Sequence, residues 1–247
     1  MKRIGLIAVL FVTVIACSIT PAGLTGGPVP TGTAQQIPQL AEATVSPSIP
    51  APAFPANLVA WYPLTVDLND VTGKNTPMQV KNASLEPGVG LVSNGLQTGD
   101  PAGSQIITPI LSELNLDSFT MSIQFNVPDY WDRTNPVFTG GTQFRWLVYK
   151  LKPDGTIKLA YNNSQEVDCT LTYSLNSWHQ AVFTYDGQTV VLYLDKVEGC
   201  RVTTALETGG IKNITQNDYS NGSTFYGTVR QLRVYNGVVA PAEIPFP

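Results

Sequence analysis

Charge is scarce in this chain: Lys, Arg, Asp and Glu make up only 13% of its 247 residues, and the formal net charge is -4. Beyond Lys2 and Arg3 the basic residues form no cluster. Phosphate backbones are held by a concentrated basic surface, so nucleic acid is excluded as an expected partner. Histidine occurs once, as His179, and no nucleophile-elbow motif accompanies it, which argues against a serine hydrolase. Cysteine occurs three times, at 17, 169 and 200. A zinc site built from two cysteines alone is not expected, and no metal ligand set is assigned. Helical spacing is missing too: no stretch sustains it over three turns, and only single turns at 111–114 and 241–244 fit.

The first segment carries an address. Lys2 and Arg3 precede a largely apolar run from Ile4 to Ala16, the pattern of a secretion signal. The run is 13 residues long, short of the ~20 that span a bilayer. Its end, Val14-Ile15-Ala16-Cys17, resembles the lipobox of bacterial lipoproteins. That resemblance implies a thiol that takes a diacylglyceryl group, followed by cleavage that leaves Cys17 as the first residue. Each buried methylene contributes about 0.8 kcal/mol, so two or three acyl chains make a durable membrane anchor. The expected location is therefore the bacterial cell envelope, facing the periplasm or the exterior.

Residues 18–56 are rich in Pro, Ala, Thr, Gly and Ser, with Glu42 their only charge. Such a segment buries too little to offset its ordering entropy and reads as a semi-extended, disordered tether. From residue 57 to 247 short runs rich in Val, Ile, Tyr, Phe, Trp and Thr alternate with Gly, Asn, Asp and Pro, which are strand and turn signals. Strands are expected at 58–64, 78–83, 104–110, 119–127, 136–139, 144–150, 156–161, 178–185, 189–194, 201–204 and 224–235. Many short strands imply an all-β, two-sheet antiparallel sandwich of the jelly-roll kind. One hairpin is nearly explicit, because Asp186-Gly187-Gln188 supplies the positive φ of a tight turn between 178–185 and 189–194. Alternation places His179, Ala181, Phe183 and Tyr185 on one face, so His179 is read as a sheet residue.

These segments resemble the laminin-G-like branch of the concanavalin A-like lectin/glucanase superfamily. The match is carried by Leu58-Val59-Ala60-Trp61-Tyr62-Pro63-Leu64 with its following Asp/Asn/Gly turn, by Phe119-Thr120-Met121-Ser122-Ile123-Gln124-Phe125, and by the hairpin from Trp178 to Asp195. The run Phe225 to Asn236 and the closing Pro241-Ala242-Glu243-Ile244 complete it. The resemblance implies a lectin-like fold but not its chemistry, since lectins, adhesion modules and hydrolases share it. Two acidic positions of the family's last-strand motif are Arg230 and Gln231 here, which weakens the implied calcium site. Asp67, Asn69, Asp70 and Asn75 offer oxygens to calcium but form turns equally well. The turn reading is preferred, so no cofactor is expected.

Glu166-Val167-Asp168 begins the paired-carboxylate motif of a glycoside hydrolase, but no second glutamate follows. A non-catalytic, lectin-like binding module is the expectation, with a structural or adhesion protein that binds protein partners as the alternative. Cys169 and Cys200 remain once Cys17 is lipidated, and an exported domain favours their pairing. For ligand binding, Tyr130, Trp131, Asp132 and Arg133 between two prolines suit a loop that presents rings to a sugar, with Tyr219 as a further contact. The competing reading is that Tyr130 and Trp131 cover one end of the sandwich. Trp61, Trp146 and Trp178 fall in strands and are expected in the core. The expected partner is a carbohydrate, or another cell-surface glycan or protein.

Overall fold

The structure, a computed structural model, describes residues 54–94, 105–129, 135–141, 147–162, 165–215, 217–218 and 223–246. The strands are β1 Leu58–Tyr62, β2 Gln79–Lys81, β3 Ala83–Glu86, β4 Gly90–Asn94, β5 Gln105–Ile107, β6 Phe119–Asn126, β7 Asn135–Gly140, β8 Leu147–Leu151 and β9 Thr156–Tyr161. They continue as β10 Gln165–Thr172, β11 Trp178–Tyr185, β12 Thr189–Leu194, β13 Val197–Thr203, β14 Ile214–Thr215, β15 Asn217–Asp218, β16 Ser223–Thr224 and β17 Tyr226–Asn236. One larger sheet runs β13-β12-β11-β6-β17-β4-β3, with β1 also paired to β17, and the other runs β10-β9-β8-β7-β14-β5-β2. All the pairings are antiparallel.

Alternation along these strands builds the core between the sheets. Phe119, Met121, Ile123 and Phe125 of β6 and Ala181, Phe183 and Tyr185 of β11 meet Tyr149, Leu151, Ile157 and Leu159 of β8 and β9. Phe183 stacks edge-on against Phe138 at 4.9 Å. Each ring removed from water contributes roughly 1.5–3 kcal/mol. Every residue of this core and of a smaller second cluster lies between Phe54 and Ile244. The unit Ala51–Pro247 therefore carries its own core.

The second cluster explains where a site can form. It lies on the opposite face of the larger sheet, where Leu58, Val182, Tyr235 and Ile244 are buried with Phe54, Trp61, Tyr193 and Val239 packed around them. After β17 the chain turns back over this face and makes one 3-10 turn at Pro241–Glu243. Hydrogen bonds hold that return in place: Val239 N–H donates to Thr120 Oγ1, and Gln180 Nε2 donates to Pro245 O.

One irregularity in β17 sets the site's composition. Arg230 pairs with Gln124 and Arg233 with Ser122, so three steps on β17 oppose two on β6. The extra residue is a β-bulge, with Gln231 in the left-handed region at φ 59. Because of it, both arginines rise from the same face, away from the main core.

Candidate functional site

Cys17, Tyr130, Trp131, Asp132, Arg133, Trp146 and Tyr219 lie outside the described residues. Cys169 and Cys200 are bonded to each other, with Cα atoms 4.9 Å apart. β10 and β13 are edge strands of different sheets, so this bridge closes the sandwich along one side. Asp70 is spent on its turn. One oxygen accepts from the backbone N–H of Trp61 and Thr72, the other from Thr72 Oγ1 and from both N–H groups of Asn75, all within 3.0 Å. Burial raises its pKa, but these donors outweigh that and hold the carboxyl below its usual value. Asp67 likewise accepts from the backbone and side chain of Asn69.

Two tryptophans expected in the main core sit elsewhere. Trp61 and Trp178 are half-buried on the outward face of the larger sheet, because each has the opposite parity to its strand's core residues. Arg233 lies over the Trp61 ring at 4.6 Å and Arg230 over the Trp178 ring at 3.9 Å. Such stacking offsets part of the cost of desolvating a cation.

Beside Trp61 lies a half-open cavity of about 250 Å³, walled by Phe54, Leu58, Trp61, Tyr235 and Val239, with the polar residues Asn57, Arg233 and Glu243 also in its lining. Phe54 meets Trp61 edge-on at 5.8 Å. Trp61 Nε1–H donates to Gln231 Oε1 at 3.0 Å, and Arg233 Nη2–H donates to the same oxygen at 2.8 Å. Ring, guanidinium and bulge residue thus hold one another in a fixed geometry. Apolar walls with a few convergent polar groups are the usual makeup of a small-ligand site. Sequence patterning marks Trp61 and Arg233 only as strand residues. The signal for the site is the departure at Arg230 and Gln231 from the acidic last-strand motif.

Comparison with known proteins agrees with this architecture. The sequence profile described as the concanavalin A-like lectin/glucanases superfamily matches residues 100–245. The chain belongs to this superfamily. None of the curated proteins matches the chain. Among solved structures, domain 4 of AbnA, a GH43 extracellular arabinanase from Geobacillus stearothermophilus solved with arabinotriose, is similar at a TM-score of 0.59 and 20% identity, over 76% of this chain and 96% of that one. A Trypanosoma rangeli sialidase is similar at a TM-score of 0.63 and 17% identity, over 81% of this chain but only 34% of the sialidase. The binding domain of botulinum neurotoxin DC, solved with rat synaptotagmin II, aligns at a TM-score of 0.55 and 13% identity, over 76% of this chain and 50% of that one. These likenesses establish the fold.

The superfamily's name covers both lectins and glucanases, and Glu166 is the residue on which a hydrolytic reading turns. Lys150 Nζ donates to Glu166 Oε1 at 2.9 Å and Lys158 Nζ to Oε2 at 2.7 Å. Burial alone raises the Glu166 pKa, but the two lysines reverse this and bring it to about 2. An acid must hold a proton near neutral pH, so Glu166 is no glycosidase acid; as the carboxylate that begins the motif it corresponds to the nucleophile, whose acid partner the motif lacks. Asp168 faces Lys152 and Lys158, each at 3.7 Å. The beginning of the carboxylate motif is therefore an ion-pair network on an edge strand.

His179 faces the core, 5.5 Å from the Phe125 ring. Its Nδ1 lies 2.7 Å from Asp195 Oδ2, and its Nε2 lies 3.0 Å from the Ser174 carbonyl and 3.1 Å from Ser174 Oγ. Burial lowers the imidazole pKa, but Asp195 and the Ser174 carbonyl outweigh it and leave it raised. Through these contacts, and the Ser174 backbone N–H 3.2 Å from Nε2, the ring clamps β11 to the loop before it and to the β12–β13 turn. A raised folded-state pKa means the clamp stabilises fully below the ordinary imidazole value and is lost as pH rises through the folded one. Urea midpoints measured across that range should therefore fall with rising pH, and Asp195→Asn should flatten the slope. An unchanged slope in Asp195→Asn would show that His179 is not the group responsible.

Proposed function

We propose that this chain is a membrane-tethered, non-catalytic carbohydrate-binding module of the cell surface, and that the cavity beside Trp61 is its sugar site. The observation that carries the reading is the cavity itself, where three aromatic rings share the lining with the polar residues Asn57, Arg233 and Glu243. Sugar rings present apolar C–H faces that stack on aromatics and hydroxyls that need polar partners. The protein-binding rival calls for a broad apolar surface. The exposed large apolar residues among those described are Val66, Val71, Val89, Ile110, Val197, Val238 and Phe246, drawn from different segments of the chain. The lack of a second glutamate after Asp168 to act as acid, with both Glu166 oxygens bonded to lysines, supports the non-catalytic part of the reading.

The anchor belongs to the same proposal. Lipidation at Cys17, with the chain from residue 18 to the folded unit as spacer, would hold the domain away from the membrane. Metabolic labelling with a palmitate analogue should mark the full chain and fail with Cys17→Ser; equal labelling of both forms would rule the anchor out. For the site, a glycan array probed with Ala51–Pro247 should give discrete hits. Trp61→Ala should weaken them by roughly tenfold or more, the usual loss for a central aromatic contact. Trp131→Ala tests the loop of Tyr130, Trp131, Asp132 and Arg133, proposed as a second contact together with Tyr219. Undiminished binding in Trp61→Ala would remove the cavity from the account.

A further inference from the structure

We infer that the Trp61 cavity selects sugars that bear a carboxylate, with Arg233 as the partner of that anion. The inference rests on the carbohydrate reading above and names the class of sugar. Arg233 is only 5% exposed. It makes no ion pair among the described residues: its hydrogen bonds go to two neutral oxygens, Gln231 Oε1 at 2.8 Å and Pro245 O at 3.4 Å. A guanidinium carries five N–H donors in a rigid fork, so most of its capacity is unspent. Burying a cation without a counter-ion is costly, and buried charges are ordinarily paired. The chain has 18 acidic residues against 14 basic ones, so a missing partner does not reflect a shortage of carboxylates.

The surroundings narrow the anion's chemistry. Arg233 lines a cavity whose walls are largely apolar and aromatic, which suits a ring carrying one charge better than a densely charged phosphate or sulfate. A carboxylate matches the guanidinium fork with two parallel hydrogen bonds. Arg230 adds a second cation to the same face. It donates to Gln124 Oε1 at 2.8 Å, stacks on Trp178 and has no carboxylate partner among the described residues. Burial lowers the pKa of both guanidinium groups, as expected where an anion is wanted. Glu243 is the one acid lining the cavity. It stands exposed on the 3-10 turn, where it would disfavour an incoming anion.

A glycan array carrying galacturonate, glucuronate and sialate oligosaccharides, their methyl esters and neutral oligosaccharides tests the inference, with Ala51–Pro247 as the probe. Acidic glycans should bind about tenfold or more tighter than their own methyl esters. Added salt should narrow that gap. Arg233→Gln should abolish the preference. If that variant melts early, Glu243→Gln carries the test instead, since removing an exposed like charge should raise the preference for acidic glycans over their own methyl esters. Equal binding of acids and esters, or no response to Glu243→Gln, would overturn the inference while leaving the sugar site standing. Binding of no glycan at all would overturn both.

Discussion

Replacing Cys169 and Cys200 by serine should lower the stability of the domain by about 3 to 4 kcal/mol, from the loop-closure entropy of a bridge that spans 31 residues. For a domain of this size that is a fall in melting temperature of roughly 6–16 °C. The reason goes beyond loop entropy. β10 and β13 end their respective sheets on the same side, and the bridge is supported there by Thr170 Oγ1 donating to Gly199 O at 3.1 Å. Without it the two edges are held by that contact and by the packing of Leu171 against Gly199. Calorimetry of oxidised wild type, reduced wild type and the double serine variant checks this. Equal melting temperatures in all three would mean that the edge packing suffices.

A comparable loss is expected from Gly227→Ala. Gly227 has φ 137, a conformation that side chains disfavour, and a Cβ there would collide with the backbone oxygen of Asn126 and crowd the Phe225 ring. Thr228 pairs with Asn126 and Val229 with Phe125 immediately beyond. The collision would push β17 away from β6 at the centre of the larger sheet. The expected cost is about 3 kcal/mol or more, combining backbone strain with overpacking. Because β17 carries Arg230 and Arg233, any glycan affinity should fall with it. Chemical denaturation with a glycan titration on the same samples would check both, and wild-type stability in the variant would contradict the close approach.

Most of the fold was legible in the residues, and the exceptions have physical causes. The hairpin β11–β12 appears with the expected strand limits, and Gly187 sits at φ 95 in its turn. The closing turn at 241–244 appears as a 3-10 turn. The single strand expected at 78–83 is instead two, β2 and β3, because Asn82 takes φ 53 and sends them to different sheets. β4 was not expected. Its partner β3 is short and reaches it through Pro87-Gly88, and the pair forms an edge whose small residues carry little apolar alternation. β10 was read for its carboxylates rather than as a strand. Its Glu and Asp residues have weak strand preference, and its place is secured by Lys150, Lys158 and the disulfide.

The site was less legible than the fold. Alternation assigns Trp61 to one of two faces, but it does not say that the chain's last residues fold back to wall a cavity on the outer one. The bulge at Gln231 is equally invisible to a period of two, yet it is what brings Arg230 and Arg233 to one face. Sequence patterning points to exposed rings between strands, and so to Tyr130 and Trp131, which lie outside the described residues. The structure adds a second possibility that needs long-range pairing, with Leu58 opposite Tyr235 and Trp61 opposite Arg233.

The most direct measurement is an NMR titration of Ala51–Pro247 with an array-selected oligosaccharide, following the indole N–H resonances of its four tryptophans. The Trp61 indole, hydrogen-bonded to Gln231 Oε1, should shift in a saturable manner and lead the others. Saturable shifts at Trp131 or Trp178 with Trp61 unmoved would place the sugar elsewhere and contradict the account.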